Sequence, residues 1–172
     1  MDIANFIRNI PDFPNTGIQF KDITTLLKDA KAFKATVEAL ADHFKSEEID
    51  LVVGIEARGF IIGSPLALFL DCGFVPVRKE GKLPATTLAK TYQLEYGQAT
   101  LEIHRDAISP GQKVIIIDDL LATGGTTRAV CEMVEELGGN IVGIGFVIEL
   151  VSLKGREKLT SYPVHSLVKF DI

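Results

Sequence analysis

KVIIIDDLLATGGTT, residues 113–127, decides the fold of this chain, because it joins an unbroken β-branched run to two adjacent acids and then to a turn rich in glycine and threonine. Val114, Ile115, Ile116 and Ile117 suit a central parallel strand covered on both faces. Two neighbouring carboxylates are costly in a dry core. The spacing therefore predicts that the strand ends as Asp118 and Asp119 begin, at the carboxyl edge where open α/β sheets bind ligands. Beyond them Ala122, Gly124 and Gly125 carry little or no side chain and let backbone N–H groups close on an anion, while Thr123, Thr126 and Thr127 add hydroxyl donors. Val130, Met133, Val134 and Leu137 then recur at helical spacing until Gly138-Gly139 stops the helix. The loop thus ends at a helix N-terminus, whose unpaired N–H groups and dipole favour phosphate. The stretch reads as a phosphate cradle with a diol binder at its lip. It is not a P-loop, since no lysine follows the glycines, and the dinucleotide fingerprint is absent, since Gly143 and Gly145 lie in a strand-like run with no third glycine after them.

Working outward, 172 residues make one domain, and 47% hydrophobic content is enough for a real core. A net charge of −5 argues against a general nucleic-acid binder, though local cations can still serve an anionic substrate. Cys72 and Cys131 have no CxxC or His-rich surroundings, so they read as reduced thiols of a cytoplasmic protein and no metal ligand set is expected. FIIGSPLALFL is interrupted by Gly63, Ser64 and Pro65, so no membrane span is expected.

Ile3, Phe6, Ile7 and Ile10 have helical spacing and predict an N-terminal amphipathic helix. PDFPNTGIQFKDIT, residues 11–24, reads as a loop leading to a short strand. Phe33, Val37, Leu40, Ala41 and Phe44 mark a helix, residues 50–55 a buried strand, residues 60–70 a helix and residues 74–77 another strand. Residues 79–84 form a basic loop, and residues 86–104 alternate in two halves about Tyr96-Gly97, as a projecting hairpin does. A strand over 141–148, a second basic loop over 154–158 and a strand near 164–168 complete the chain. Strands separated by helices imply an α/β fold with a doubly wound, mainly parallel sheet and helices on both faces.

The acid pair and small, threonine-rich loop resemble the 5-phosphoribosyl 1-diphosphate (PRPP) signature of the type I phosphoribosyltransferases. The resemblance implies that Asp118 and Asp119 hold the ribose hydroxyls, and that Ala122, Thr123, Gly124, Gly125 and Thr126 hold the 5′-phosphate. GIEARG, residues 54–59, would be that family's diphosphate loop, with a non-proline cis peptide near Glu56-Ala57 and Arg58 on diphosphate. VRKEGKLP, residues 77–84, resembles a basic element of the adenine-using branch, in which Arg78, Lys79 and Lys82 would reach diphosphate, in part across a dimer interface.

Two further stretches point to the same branch. Residues 11–24 are similar to its adenine-binding hood. Gln19 and Lys21 would offer backbone contacts there, Phe20 would stack on the base and Leu120 would form the opposite wall. Many members of the branch carry arginine in place of Lys21, which a main-chain contact tolerates. YQLEYG, residues 92–97, with LEIH, residues 101–104, is similar to its mobile catalytic hairpin, with Glu95 handling the proton at the purine imidazole and Tyr96 beside it. SLKGREKL, residues 152–159, matches the C-terminal region.

The resemblance implies one domain over 1–172, with a hood over about 1–30 and a flexible hairpin over about 80–106. It also implies purine salvage: adenine plus PRPP giving AMP and diphosphate. Mg²⁺ would be held mainly through substrate oxygens and water, and the protein would be a cytoplasmic homodimer with no nucleic-acid or membrane partner. Three rivals are a transferase for another base, a non-catalytic PRPP-sensing regulator and a phospho-acceptor module. The hood and hairpin weigh against the first. The chain has no room for a DNA-binding domain, which weighs against the second. The acids lie past the chain's midpoint rather than near its first strand, which weighs against the third.

Overall fold

The computed structural model describes residues 1–94 and 96–172; Glu95, expected at the hairpin tip, lies outside the described residues. A 3-10 turn at Ile3–Phe6 is followed by β1 (Arg8–Pro11), β2 (Gln19–Asp22), α1 (Thr24–Leu27), α2 (Ala30–Phe44), β3 (Leu51–Ile55), α3 (Arg58–Phe69) and β4 (Gly73–Lys79). Then come β5 (Thr87–Gln93), β6 (Gln98–His104), β7 (Lys113–Leu121), α4 (Gly125–Glu136), β8 (Asn140–Leu150), two 3-10 turns at Val151–Leu153 and Gly155–Lys158, and β9 (Val164–Phe170).

The main sheet has 7 strands in the order β5-β6-β4-β3-β7-β8-β9. β4, β3, β7, β8 and β9 are parallel, and the β5–β6 hairpin joins β4 antiparallel through Arg78↔Glu102 and Lys79↔Leu101. The β7 run explains the layering. Successive side chains of a strand point to opposite faces, so Val114 and Ile116 enter one core with Val130, Met133 and Val134 of α4. Ile115 and Ile117 enter the other with Val37 and Leu40 of α2 and Ile62 and Leu66 of α3. All four β7 side chains are fully buried, as a doubly covered strand requires.

Three expectations need correction. The N-terminal helix is one 3-10 turn followed by β1, because β1 finds a partner in β2 (Ile10↔Phe20, Pro11↔Gln19) and Pro11 lacks the N–H that a continuing helix needs. Arg8 closes that pairing by donating to Asp22 Oδ2 at 3.0 and 2.6 Å. The central strand does not end at the acid pair: β7 continues through Asp118 and Asp119 to Leu121, paired with β8 as far as Leu121↔Glu149. The hairpin does not project along its whole length, for Leu88, Leu101 and Ile103 are core residues and Lys90 pairs with Glu132 of α4 at 2.7 Å.

Candidate active site

A crevice opens between β3 and β7. β3 stops pairing with β7 at Gly54↔Ile117, whereas β8 keeps pairing for another four residues, so Asp118 is the first β7 residue with no β3 partner. The helices that follow these two strands, α3 and α4, pack on opposite faces of the sheet. Such a switch point is where an open α/β sheet leaves room for a ligand. The crevice holds a cavity of about 680 Å³ lined by Ala57, Arg58, Lys79, Tyr92, Asp118, Asp119 and Thr126 among others.

Asp118 Oδ1 accepts from the Asp119 N–H at 2.8 Å. Asp119 is only 4% exposed, and its Oδ2 accepts from Arg58 Nε. Burial, and then the charge of Asp119, push the Asp118 carboxyl well above the usual carboxylate range. Gly59 makes this corner possible: a Cβ there would lie 2.9 Å from Ile117 O and 3.1 Å from Asp118 Oδ1, so only glycine lets the first turn of α3 rest on the acid pair.

In GIEARG the Glu56-Ala57 peptide is cis, as the resemblance implies. Arg58 reaches Asp119 rather than Glu56. Glu56 instead accepts from the Lys79 N–H at 2.8 Å and pairs with Arg78 at 3.2 Å. Burial raises its carboxyl, but these bonds outweigh burial and leave it below the ordinary glutamate value. Glu56 therefore organises the basic stretch, a role the sequence reading missed; the acid before Arg58 in GIEARG was its signal. Lys79 lines the cavity, Arg78 stands behind it, and the Lys82 carbonyl accepts from Arg78 Nη1 at 3.4 Å.

Residues 120–127, with Asp118, line a smaller hollow beside the cavity. Gly124 turns the chain at φ +81°, a left-handed conformation other residues avoid, so that α4 can start at Gly125. Thr126 Oγ1 donates to the Tyr92 hydroxyl at 3.0 Å, which ties this loop to the hairpin strand. Both hollows share Asp118 and Thr126.

Gln19, Phe20 and Lys21 of the hood do not line the cavity; Phe20 stands beside Arg58, which does. The Arg58 guanidinium carbon lies 5.8 Å from the Phe20 ring centre, and Phe13 packs edge-on against Phe20 at 5.3 Å. Gln19 accepts from Asn9 at 2.7 Å, and Lys21 donates to Asn9 at 3.0 Å and lies over the Phe170 ring of β9, so the Gln19 side chain packs within the hood and that of Lys21 reaches from the hood to β9. Leu120 lines the phosphate-loop hollow. Tyr96 is 87% exposed at the hairpin tip and is not brought to the cavity.

The phosphoribosyl transferase domain model matches residues 22–168. The adenine phosphoribosyltransferase of Halothermothrix orenii is 59% identical over 98% of this chain and 99% of its own. That of Clostridium tetani is 58% identical over the full length of both chains. The crystal structure of the Thermoanaerobacter pseudethanolicus enzyme of the same name superposes with a TM-score of 0.95, at 56% identity and 98% coverage of both chains. With the β3–β7 crevice and the acid-pair loop in the places its sequence signature implies, the chain belongs to the type I phosphoribosyltransferase family, on its adenine branch.

Proposed function

We propose that the chain transfers the 5-phosphoribosyl group from PRPP to adenine, giving AMP and diphosphate. The observation that carries this reading is the meeting of four separate stretches around one crevice: the acid pair with the phosphate loop that follows it, Arg58, Lys79 on the diphosphate side, and Phe20 beside Arg58. A Saccharomyces cerevisiae relative, 43% identical over 96% of this chain, is complexed with an imino-altritol bisphosphate and adenine, which supports both halves of the substrate pair.

In this reading Asp118 and Asp119 accept the ribose hydroxyls, each charge-assisted bond contributing about 1.5 to 3 kcal/mol. The loop over residues 122–126 receives the 5′-phosphate on backbone N–H groups and threonine hydroxyls. Arg58, Lys79, Arg78 and Lys82 meet the diphosphate. Arg58 leaves Asp119 as it does so, freeing that carboxylate for the ribose. Phe20 stacks on adenine against Leu120. The C1–diphosphate bond loosens toward an oxocarbenium-like state that the adenine imidazole nitrogen captures, with Glu95 handling the proton. Closure of the hairpin keeps water from capturing it first.

Magnesium fits this donor set. Among the described residues no three His, Cys, Asp or Glu side chains form a cage, and two carboxylates beside a phosphate site match an ion held largely through substrate oxygens and water. Asp118 and Asp119 would hold it, together with substrate oxygens and water, and it would supply positive charge to offset the diphosphate leaving group. A homodimer is supported by exposed Ile61, Leu68 and Phe69 on α3, an apolar face unusual for a helix that meets only water. A cytoplasmic setting is supported by two free cysteines, of which Cys131 is buried and its thiol pushed up to about 12 by that burial.

The test is product analysis with PRPP, Mg²⁺ and a panel of bases. Adenine is consumed far faster than hypoxanthine, guanine or orotate; comparable turnover of any of these would overturn the assignment of the base.

A further inference from the structure

The phosphate loop has a charge problem of its own. Between Lys113 and Arg128 the chain carries no basic residue, and two aspartates precede the loop. Arg128 is turned away, its Nε donating to Glu132 at 3.0 Å. A dianionic phosphate held by neutral donors close to two carboxylates lacks a counter-charge. P-loops solve this with a lysine placed directly after the glycines, and this loop has none.

The cation arrives from about 30 residues downstream. The turn Gly155–Lys158 lies directly against the loop: a Cβ on Gly124 would stand 2.4 Å from Gly155 O, and one on Gly155 would stand 2.3 Å from Ala122 O. Two glycines face each other because no side chain fits between the backbones. The turn is anchored from behind. Arg156 donates to both carboxylate oxygens of buried Glu149 at 2.7 Å and to the Val164 carbonyl at 2.7 Å, and Leu159 is 1% exposed.

Lys158, exposed on this fixed turn, brings its ammonium to 3.9 Å from where a Cβ on Gly125 would be, over the first residue of α4. A cation beside the positive end of a helix dipole is in the wrong place unless an anion lies between them. Among the described residues Lys158 has no carboxylate partner.

We propose that Lys158 is the cation of the 5′-phosphate site, carried to the glycine loop by the GREK turn, and that it sets the preference for 5′-phosphorylated ligands. The proposal rests on the reading of residues 122–126 as the 5′-phosphate loop. The test uses the full-length protein with Lys158→Met and Lys158→Arg. Ligand affinities are measured for AMP, adenosine and inorganic diphosphate, and steady-state kinetics for PRPP.

Lys158→Met is expected to raise the PRPP KM and the AMP Kd roughly tenfold, the scale of one charge-assisted contact. Diphosphate affinity stays unchanged, kcat at saturating PRPP stays within about twofold, and Lys158→Arg restores most of the loss. Unchanged AMP affinity in Lys158→Met overturns the proposal, and so does an equal loss for AMP and diphosphate, which a merely structural role would give. A wild-type protein that binds adenosine as well as AMP overturns the phosphate-loop reading itself.

Discussion

Asp118 carries a carboxyl that burial, and next the Asp119 charge, push above its ordinary range, so its ionised form opposes folding. The folded protein holds that proton more tightly than the unfolded chain. Its effect on stability is therefore absent below the ordinary aspartate value of about 3.9, and stability is lost as pH rises through the raised value. Asp118→Asn is expected to raise stability at pH 8 by about 1 kcal/mol, with the gain shrinking toward acid pH, while turnover collapses. Denaturant midpoints at two pH values check this, and an equal gain at both would rule out the titration as its source.

Asp119→Asn is expected to lower turnover at least about 100-fold with the fold intact by circular dichroism; wild-type turnover would defeat the ribose assignment. Gly59→Ala has no room beside Ile117 O and Asp118 Oδ1 and is expected to cost about 1 to 3 kcal/mol. A midpoint equal to wild type would show that the α3 turn is not wedged.

At the scale of elements, the hairpin is tied along β5 to α4 and to the loop that precedes it. Tyr92 bonds Thr126, Lys90 pairs with Glu132, and the Leu94 N–H donates to the Gly97 carbonyl at 2.9 Å. Tyr92→Phe removes the only one of these links that touches the phosphate loop. Amide exchange in β5 and β6 is expected to speed up and the PRPP KM to rise a few-fold, since the Tyr92 hydroxyl no longer orients Thr126. Exchange unchanged from wild type would mean the bond carries no coupling.

The Arg156–Glu149 pair is a second link, between the GREK turn and β8. Burial raises Glu149, but donors from Arg156 and Ser166 outweigh it, so its net value is lowered. Its contribution is fully present above the ordinary glutamate value of about 4.3 and is lost as pH falls through the lowered one. Arg156→Met is expected to cost about 2 kcal/mol at neutral pH, less on acidification. Thermal melts at pH 7 and pH 3.5 check the difference.

Over the whole molecule, the sheet splits the chain into two cores, and α3 is the element that serves both the site and the outside. Its first turn supplies Arg58 and Gly59, while Ile61 and Leu68, two helical turns apart, face outward at 42% and 82% exposure. If this face joins two copies, Leu68→Glu is expected to shift the protein toward monomer in sedimentation velocity, with a weaker PRPP interaction if basic residues act across the interface. A wild-type protein that sediments as a monomer at micromolar concentration would remove the dimer from the account.

The local chemistry of this protein was legible in its sequence because it is contiguous. A β-branched run, an acid pair and a glycine-threonine loop lie within residues 113–127, and periodicity marks the strands and the long helices around them. The positions of charged side chains relative to one another and to the glycine loop were not legible. Glu56 with Arg78, Arg58 with Asp119, and Lys158 over Gly125 are brought together by the order of strands in the sheet and by glycine contacts between segments distant along the chain. Residues 3–10 were misread because helical spacing and strand pairing compete over so short a span, and the β2 partner decided it. Sequence patterns report what a segment buries. Where a charged side chain finds its counter-charge depends on distances through space, and only the folded chain sets those.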